Sequence, residues 1–162
     1  KRQILLSSDT GIKLWDKLLE SGVTPCGLGC RDTLRLEAGM HLYGSEMDTT
    51  TTPYEASLGW IVNSTKEYIG KTILDNQKKN GIDKKLVALK LTKRNIARHD
   101  YPIMNEDIVI GKVTSGTWSP SLSVPIALAY VPTELSKVGS VVNVKIRGKL
   151  EAATVVKKPF YC

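Results

Sequence analysis

From Lys84 onward, apolar and polar residues alternate, and this period of two limits the possible folds more than any other feature of the chain. Five segments follow the pattern and are predicted strands: LVALKL, DIVIGKV, PIALAYV, VVNVKIR and AATVV. In VVNVKIR the alternation is unbroken, which places Val142, Val144 and Ile146 on one face and polar residues on the other. Loops containing Gly, Pro or Ser separate the segments, a spacing typical of a small antiparallel barrel or sandwich.

The first residues of the chain predict a short strand and then a helix. ILLSS, within residues 1–8, is the strand candidate, and the polar run Ser8-Asp9-Thr10 offers caps for a helix that continues to about Glu20. Gly22 is expected to end this helix. Its apolar residues form a stripe that we expect to lie in a core: Ile12, Trp15, Leu18 and Leu19.

A second helix is predicted between Ser64 and Ile82, where Asn80-Gly81 is a natural stop. Just before it, the apolar run from Trp60 to Val62 indicates a buried strand. The period and the charge balance both change near residue 83. We therefore expect a domain boundary there, with one domain over residues 1–83 and another over residues 84–162.

The stretch from Pro25 to Trp60 carries most of the unusual polar residues of the chain. Its centre predicts a short helix that follows Gly29 and ends at Gly39, which can adopt the left-handed conformation. Asp32 is expected in the first turn of this helix, three residues before Arg35 on the same face. Two apolar residues four positions apart are expected to face a core: Leu34 and Ala38.

Arg31 is predicted at the start of this helix, next to the amide groups of the first turn. A guanidinium beside exposed N–H donors can bind a carboxylate or the edge of a heterocycle. An Arg-Asp-x-x-Arg run also commonly forms a structural ion-pair network. The residues alone leave both interpretations open, and composition favours the network.

The runs GLGCRDTLRLEAGMHLYGSEMD and TTPYEASLGW resemble the T-protein of the glycine cleavage system, the aminomethyltransferase family. Two later runs, IGKVTSGTWSPSLSVPIALAYVP and IRGKLEAATVVKKPFY, resemble the C-terminal module of that family. The resemblance covers most of Leu14 to Tyr161 and implies an α+β fold. An incomplete mixed α/β folate-binding module would be followed by a small antiparallel β-barrel that is jelly-roll-like.

The resemblance also implies a reaction and a site. Members of the family pass the methylene of an aminomethyl group, carried on the lipoyl arm of H-protein, to tetrahydrofolate and release ammonia. Arg31 matches the folate-contacting arginine of the family, and the expected supporting residues are Asp32, Arg35, Glu37 and Glu55. No catalytic residue is expected in this chain, because the family's catalytic aspartate lies in an N-terminal region that the resemblance does not include. We therefore expect this chain alone to be inactive.

The sequence departs from the family pattern at four places. Cys30 replaces the usual alanine, and Ser45-Glu46 stands where a pair such as Asn-Asp is common. Gln3 falls near a position where the family carries a folate-contacting Glu, and Cys162 stands about where the family often continues with an Arg or Tyr that faces the ligand.

Two other functions stay open on the sequence. Similar modules end dimethylglycine and sarcosine dehydrogenases and occur in RNA-modifying proteins, where this chain would be a folate-binding accessory module. A basic β-barrel could also bind nucleic acid, since residues 84–162 hold thirteen Lys/Arg against five Asp/Glu. The same charges fit a solvated lysine-rich surface, and the few aromatic residues follow no base-stacking pattern.

The remaining features exclude several classes of protein. Cys26, Cys30 and Cys162 have no paired His or Cys cluster, so we expect reduced thiols and no metal. Neither His41 nor His99 has a partner nucleophile at a recognisable spacing, and Trp118 is expected to pack. No apolar run has the length of a membrane helix or a signal peptide. The expected location is the cytoplasm, or the mitochondrial matrix in a eukaryote.

Overall fold

The structure, a computed structural model, describes residues 4–161. The chain divides into two compact units, and the division falls between Arg31 and Asp32. Gln3 and Cys162, two of the positions that depart from the family pattern, lie outside the described residues.

The first unit contains helix α1 (Ser8–Glu20) and the start of helix α2 (Leu28–Glu37). The predicted helix and its end at Glu20 are confirmed, but its N-cap is Ser7, and the three predicted cap residues Ser8, Asp9 and Thr10 lie inside its first turn. Gly22 follows the helix with a φ of +80°, a conformation that glycine adopts without a steric penalty. The strand candidate ILLSS, residues 4–8, forms no strand: residues 4–7 are irregular and Ser8 begins α1.

The apolar stripe of α1 does not lie in a core, contrary to the prediction. Its four residues are all exposed to solvent: Ile12, Trp15, Leu18 and Leu19. Trp15 has 54% of its surface exposed, so the prediction that it packs in a core was wrong. Helical periodicity shows which side of a helix is apolar, but it does not show whether another element covers that side.

The second unit contains the rest of α2, helix α3 (Lys71–Asn80) and, among the described residues, six strands. The strands are β1 (Lys84–Leu91), β2 (Pro102–Asn105), β3 (Ile108–Ser119), β4 (Val124–Pro132), β5 (Val141–Ile146) and β6 (Lys149–Val156). Neighbouring strands are antiparallel, and the order β1-β4-β3-β2-β5-β6 closes into a barrel. The predicted α+β fold with a small antiparallel barrel is therefore confirmed.

The barrel has one strand more than the five that the sequence predicted. β2 was missed because it is only four residues long and begins at Pro102, which cannot donate a hydrogen bond. Its buried residues, Ile103 and Met104, pair with β3 on one side and β5 on the other. Partners on both sides make this segment a strand, although its own sequence shows no clear period.

Strand β1 is buried on both of its faces, which explains its nearly continuous apolar run. Val87 and Leu89 point into the main barrel core, together with residues from the other strands. Leu86 and Ala88 point outward into a second apolar cluster, which includes Leu36 of α2. Because successive side chains of a strand alternate between faces, one strand can join both cores.

Helix α2 ends as predicted but begins earlier. Gly39 has a φ of +66°, and the N–H of Met40 donates to the carbonyl of Arg35 at 2.8 Å, which closes a Schellman motif. The helix starts at Leu28, before Gly29, so Asp32 lies in the second turn and not in the first.

The buried side of α2 differs from the predicted one. Leu34 and Ala38 are exposed, whereas Arg35, Leu36 and Glu37 are buried. Charged residues occupy this side because the barrel wall supplies polar partners for them, as described below.

Two further predictions fail between α2 and the barrel. The segment Gly59–Ile61 is a short 3-10 helix and not a buried strand, and Trp60 has 83% of its surface exposed. Helix α3 begins at Lys71, so the predicted start at Ser64 was too early, while the predicted stop at Gly81 is confirmed. Within residues 4–161, none of the helices combines the length and the apolar composition needed to cross a membrane.

Candidate functional site

Arg31 lies in the first unit, near the start of α2, and its side chain is exposed. Its backbone N–H donates to the carbonyl of Gly27 at 3.3 Å, so this amide already belongs to the helix. The amide of Arg31 is therefore not one of the free donors of the first turn. Its guanidinium is exposed and can offer a planar, bidentate set of donors to a ligand.

Arg35 lies in the second unit and is 96% buried, with its guanidinium held on several sides. Nε donates to Asp32 Oδ1 at 2.7 Å, and Nη1 donates to Glu46 Oε2 at 2.6 Å. Nη2 donates to Ser115 Oγ at 2.8 Å. These contacts form the structural ion-pair network that the sequence left open, and they occupy Arg35 within the protein.

Glu46 is the centre of this network, and sequence reasoning missed its role. It is fully buried and accepts hydrogen bonds from the Leu42 N–H, from Thr114 Oγ1 and from Ser115 Oγ. A buried carboxylate must be paired and hydrogen-bonded, because removing it from water otherwise costs several kcal/mol. The signal in the sequence was weak: one Glu in a polar loop, eleven residues after Arg35.

Tyr130 of β4 fixes the backbone of the same loop. Its hydroxyl donates to the carbonyl oxygen of Glu46 at 2.7 Å. Burial of the ring, followed by the charge of Glu55, raises the pKa of Tyr130 to about 12. The phenol therefore stays protonated and keeps its donor role at neutral pH.

Glu37 is buried beside the turn between β3 and β4, away from the Arg35 network. Its carboxylate accepts hydrogen bonds from Ser119 Oγ, from Ser121 Oγ at 2.9 Å and from the Ser121 N–H at 3.2 Å. Burial opposes its charge, but the hydrogen bonds outweigh that effect and lower the pKa of Glu37 below its usual value. Glu37 therefore anchors the end of α2 to the barrel.

This lowered pKa predicts a loss of stability in acid. The hydrogen bonds of ionised Glu37 add fully to the free energy of unfolding above the ordinary pKa of 4.5. This stabilisation is lost as the pH falls through the lower pKa that Glu37 has in the folded protein. We expect the free energy of unfolding, measured in urea, to decrease below pH 4.5 and Glu37→Gln to flatten that decrease. Ser121→Ala should flatten it partly. Parallel pH curves for the wild type and Glu37→Gln would contradict the assignment.

Glu55 has a local role in the loop before the barrel. Its Oε2 accepts hydrogen bonds from the Thr52 N–H at 2.9 Å and from Thr52 Oγ1 at 3.1 Å. Its backbone carbonyl accepts a hydrogen bond from the Leu86 N–H at 2.7 Å, which ties the loop to β1. Of the predicted supporting residues, the structure thus brings Asp32 and Arg35 together and places Glu37 and Glu55 in separate clusters.

Two other side chains that the sequence singled out have partners within the protein. His41 Nε2 lies 2.8 Å from the Ala56 carbonyl, and burial, followed by the charge of Lys158, lowers the pKa of His41. Trp118 is half-buried on β3 and lies under the guanidinium of Arg94, 5.9 Å from the ring centre. In the described part of the chain, no group of three or more His, Cys, Asp or Glu side chains could hold a metal ion.

An open groove of about 600 Å³ lies between α3 and the loop that carries Thr49, Thr51 and Thr52. Its lining includes Thr51, Pro53, Tyr68, Ile69 and Ile73. The Tyr68 hydroxyl is buried and has no hydrogen-bond partner among residues 4–161. None of the four supporting residues in the second unit lines this groove, so it is separate from the clusters described above.

The chain matches two known family models. Residues 84–161 match the family model described as the glycine cleavage T-protein C-terminal barrel domain. Residues 3–66 match the model of the GCVT N-terminal domain. The chain belongs to the glycine cleavage T-protein family. The resemblance that the GLGCRDTLRLEAG run suggested is thereby confirmed.

Individual relatives in the T-protein family agree with this assignment. The chain is 56% identical over 161 residues to the aminomethyltransferase of Synechococcus sp. (strain CC9311), and 53% identical over 161 residues to that of Nostoc sp. (strain PCC 7120). These alignments cover 98% of this chain but only 44% and 43% of the relatives. The chain therefore spans less than half the length of the curated relatives it matches.

A solved T-protein has the same fold over the shared part. The crystal structure of the glycine cleavage system aminomethyltransferase T from Bartonella henselae superposes with a TM-score of 0.86 at 33% sequence identity. The superposition covers 94% of this chain and 44% of that protein.

Proposed function

We propose that this chain is part of a tetrahydrofolate-dependent aminomethyltransferase of glycine cleavage. In the proposed reaction, the methylene of an aminomethyl group passes from the lipoyl arm of H-protein to tetrahydrofolate, and ammonia is released. Relatives that share more than half of their aligned residues with this chain carry the name aminomethyltransferase, which supports the proposal. The proposed location is the cytoplasm, or the mitochondrial matrix in a eukaryote.

The contrast between the two arginines of the CRDTLR run carries the proposed site. Arg35 is buried and bonded to Asp32, Glu46 and Ser115, so its donors are occupied. Arg31 is exposed, and its guanidinium can face a ligand. We therefore assign the contact with folate to Arg31, where planar donors suit the carboxylates and the heterocycle of this substrate.

The proposed supporting residues act through the position of α2. Asp32 holds the guanidinium of Arg35, which joins the helix to Glu46 and to Ser115 of β3. Glu37 joins the end of the helix to the β3–β4 turn. Glu55 orders the loop that precedes β1. None of these carboxylates is proposed as a catalytic acid or base, because each is committed to a hydrogen-bond partner in the protein. We propose that residues 1–162 alone do not catalyse the transfer.

A titration with 5-formyltetrahydrofolate, a stable analogue of the folate substrate, tests the role of Arg31. Calorimetry on the wild-type chain is expected to show saturable binding. Arg31→Ala should weaken it by about 10-fold to 100-fold, since a hydrogen bond to a charged group contributes about 1.5–3 kcal/mol. Arg31→Lys should also weaken it, because lysine lacks the planar fork.

The control is Lys17→Ala, which removes another exposed cation of the first unit and should leave the affinity unchanged. Wild-type affinity in Arg31→Lys would remove Arg31 from the site. Equal losses in Arg31→Ala and Lys17→Ala would indicate attraction by general positive charge and not by a built site.

A further inference from the structure

A second open pocket, the Trp60 pocket, has a volume of about 410 Å³ and lies beside the end of α3 and the start of β1. This volume is within the range of about 300–1,000 Å³ that is typical of small-molecule sites. Neither Arg31 nor any of its four supporting residues lines it, so the proposed folate contact does not use it. Two aromatic rings, one amide and two lysines line the Trp60 pocket: Tyr54, Trp60, Gln77, Lys78 and Lys85.

The aromatic rings of the Trp60 pocket offer a stacking surface. The Trp60 side chain has 83% of its surface exposed, so most of the indole is available to a ligand. The Tyr54 ring packs directly on Gly59, where a Cβ atom would lie 2.8 Å from Tyr54 Cδ1. The missing side chain at Gly59 therefore lets the Tyr54 ring lie over the backbone just before Trp60. Exposed aromatic rings bind planar heterocycles by stacking.

The charged side chains of the Trp60 pocket are all cationic. Lys78 and Lys85 line it, and no Asp or Glu of residues 4–161 does. Neither lysine forms an ion pair within this range. A third cation is close, since burial and then the charge of Lys85 lower the pKa of Lys158. An anion would relieve the repulsion among these cations, and lysine binds phosphate as a point charge.

The amide of Gln77 adds a hydrogen-bond acceptor. Gln77 Oε1 is buried and has no hydrogen-bond partner in the described part of the chain. A buried oxygen without a donor is costly, so a small rotation that exposes it to a ligand N–H would favour binding. Gln77 belongs to the last turn of α3, where the backbone carbonyl groups also need donors. This side of the pocket therefore suits a donor group, whereas the lysines suit an anion.

We propose that the Trp60 pocket binds a nucleoside phosphate. The base stacks on Trp60, and an amino group of the base donates to Gln77 Oε1. The phosphate contacts Lys78 and Lys85. A planar ring, a donor and an anion in one small molecule complement the three kinds of side chain that line this pocket. The proposal does not depend on the folate contact of Arg31.

Calorimetric titration of the full chain with adenosine 5′-monophosphate (AMP) tests this site. Saturable binding of AMP is expected. Adenosine lacks the phosphate and ribose 5-phosphate lacks the base, so each should bind at least about 10-fold more weakly than AMP. Absence of saturable AMP binding would overturn the proposal. Equal affinities for ribose 5-phosphate and AMP would also overturn it, because the base would then make no contact.

Single variants test each contact against a matched control. Trp60→Ala should weaken AMP binding by about 10-fold, whereas Trp15→Ala, at another exposed tryptophan, should not change it. Lys85→Ala should weaken AMP binding by about 10-fold and leave adenosine binding unchanged. The exposed Lys145 of β5 does not line the pocket, so Lys145→Ala should have no effect. Equal losses in the two lysine variants would overturn a specific phosphate contact.

Competition separates the Trp60 pocket from the folate contact. 5-Formyltetrahydrofolate should not displace AMP, and Arg31→Ala should leave the affinity for AMP unchanged. Displacement of AMP by the folate analogue, together with weaker AMP binding in Arg31→Ala, would show that AMP occupies the folate site and would overturn a separate pocket. Intact AMP binding without any folate binding would support this pocket and count against the Arg31 assignment alone.

Discussion

Glu46→Ala is expected to destabilise the second unit by about 3–5 kcal/mol, the range for a buried ion pair that loses one partner. The substitution leaves the buried guanidinium of Arg35 without its main counter-charge. It also removes the acceptor that Thr114 and Ser115 share. Equilibrium unfolding in urea, followed by tryptophan fluorescence, measures the loss.

The control for this experiment is the exposed pair Glu67–Lys71, whose N–O distance is also 2.6 Å. Glu67→Ala should leave the free energy of unfolding unchanged within error, since exposed pairs contribute little. The double variant Arg35→Met/Glu46→Leu should recover a large part of the loss, because apolar replacement of both partners removes the unpaired charge. Equal effects of Glu46→Ala and Glu67→Ala would show that burial does not strengthen this pair.

Gly116→Ala is expected to have the second largest effect, a loss of about 3 kcal/mol, at the upper end of the usual range for overpacking. A Cβ atom at Gly116 would lie 2.2 Å from the backbone carbonyl oxygen of Ala97. A backbone atom cannot rotate away as a side chain can, so the segment that carries Ala97 would have to leave β3. The same urea experiment measures the change.

Gly11→Ala is the matched glycine control. Gly11 lies inside α1, and an added Cβ meets no atom within 4 Å. Gly11→Ala should raise the free energy of unfolding by about 0.5–1 kcal/mol, because glycine loses more conformational entropy than alanine when a helix forms. A loss at Gly11 as large as that at Gly116 would mean that the close approach of Ala97 is not the cause.

The sequence predicted most of the barrel, because strands that bury a face must alternate. The unbroken alternation of Val142, Val144 and Ile146 predicts β5, and all three side chains are indeed buried. The local stops at Gly22, Gly39 and Gly81 were also predictable, since each depends on one residue that tolerates a positive φ. By contrast, the positions of Trp15 and Trp60 depend on what covers them, and periodicity does not contain that information.

The candidate site was predictable only where the contacts are local. The pairing of Asp32 with Arg35 follows from their spacing on one helix and is present at 2.7 Å. The barrel partners of Glu46 and Glu37 lie 68 to 84 residues away along the chain, so no local pattern identifies them. A single sequence shows these residues only as charged positions near apolar ones.

The order of strands in the barrel has a consequence for how the chain folds during synthesis. β1 pairs with β4 and with β6, so the seam of the barrel joins its first strand to its last. A ribosome that has released β1 to β5 has produced a sheet with two open edges, and unpaired edges invite pairing with other chains. Closure must wait until Val156 has emerged, because Val156 pairs with Ala88. Because β1 and β6 are far apart along the chain, we expect closure of the barrel to be a slow step. The nascent chain is therefore most prone to aggregation just before β6 is complete.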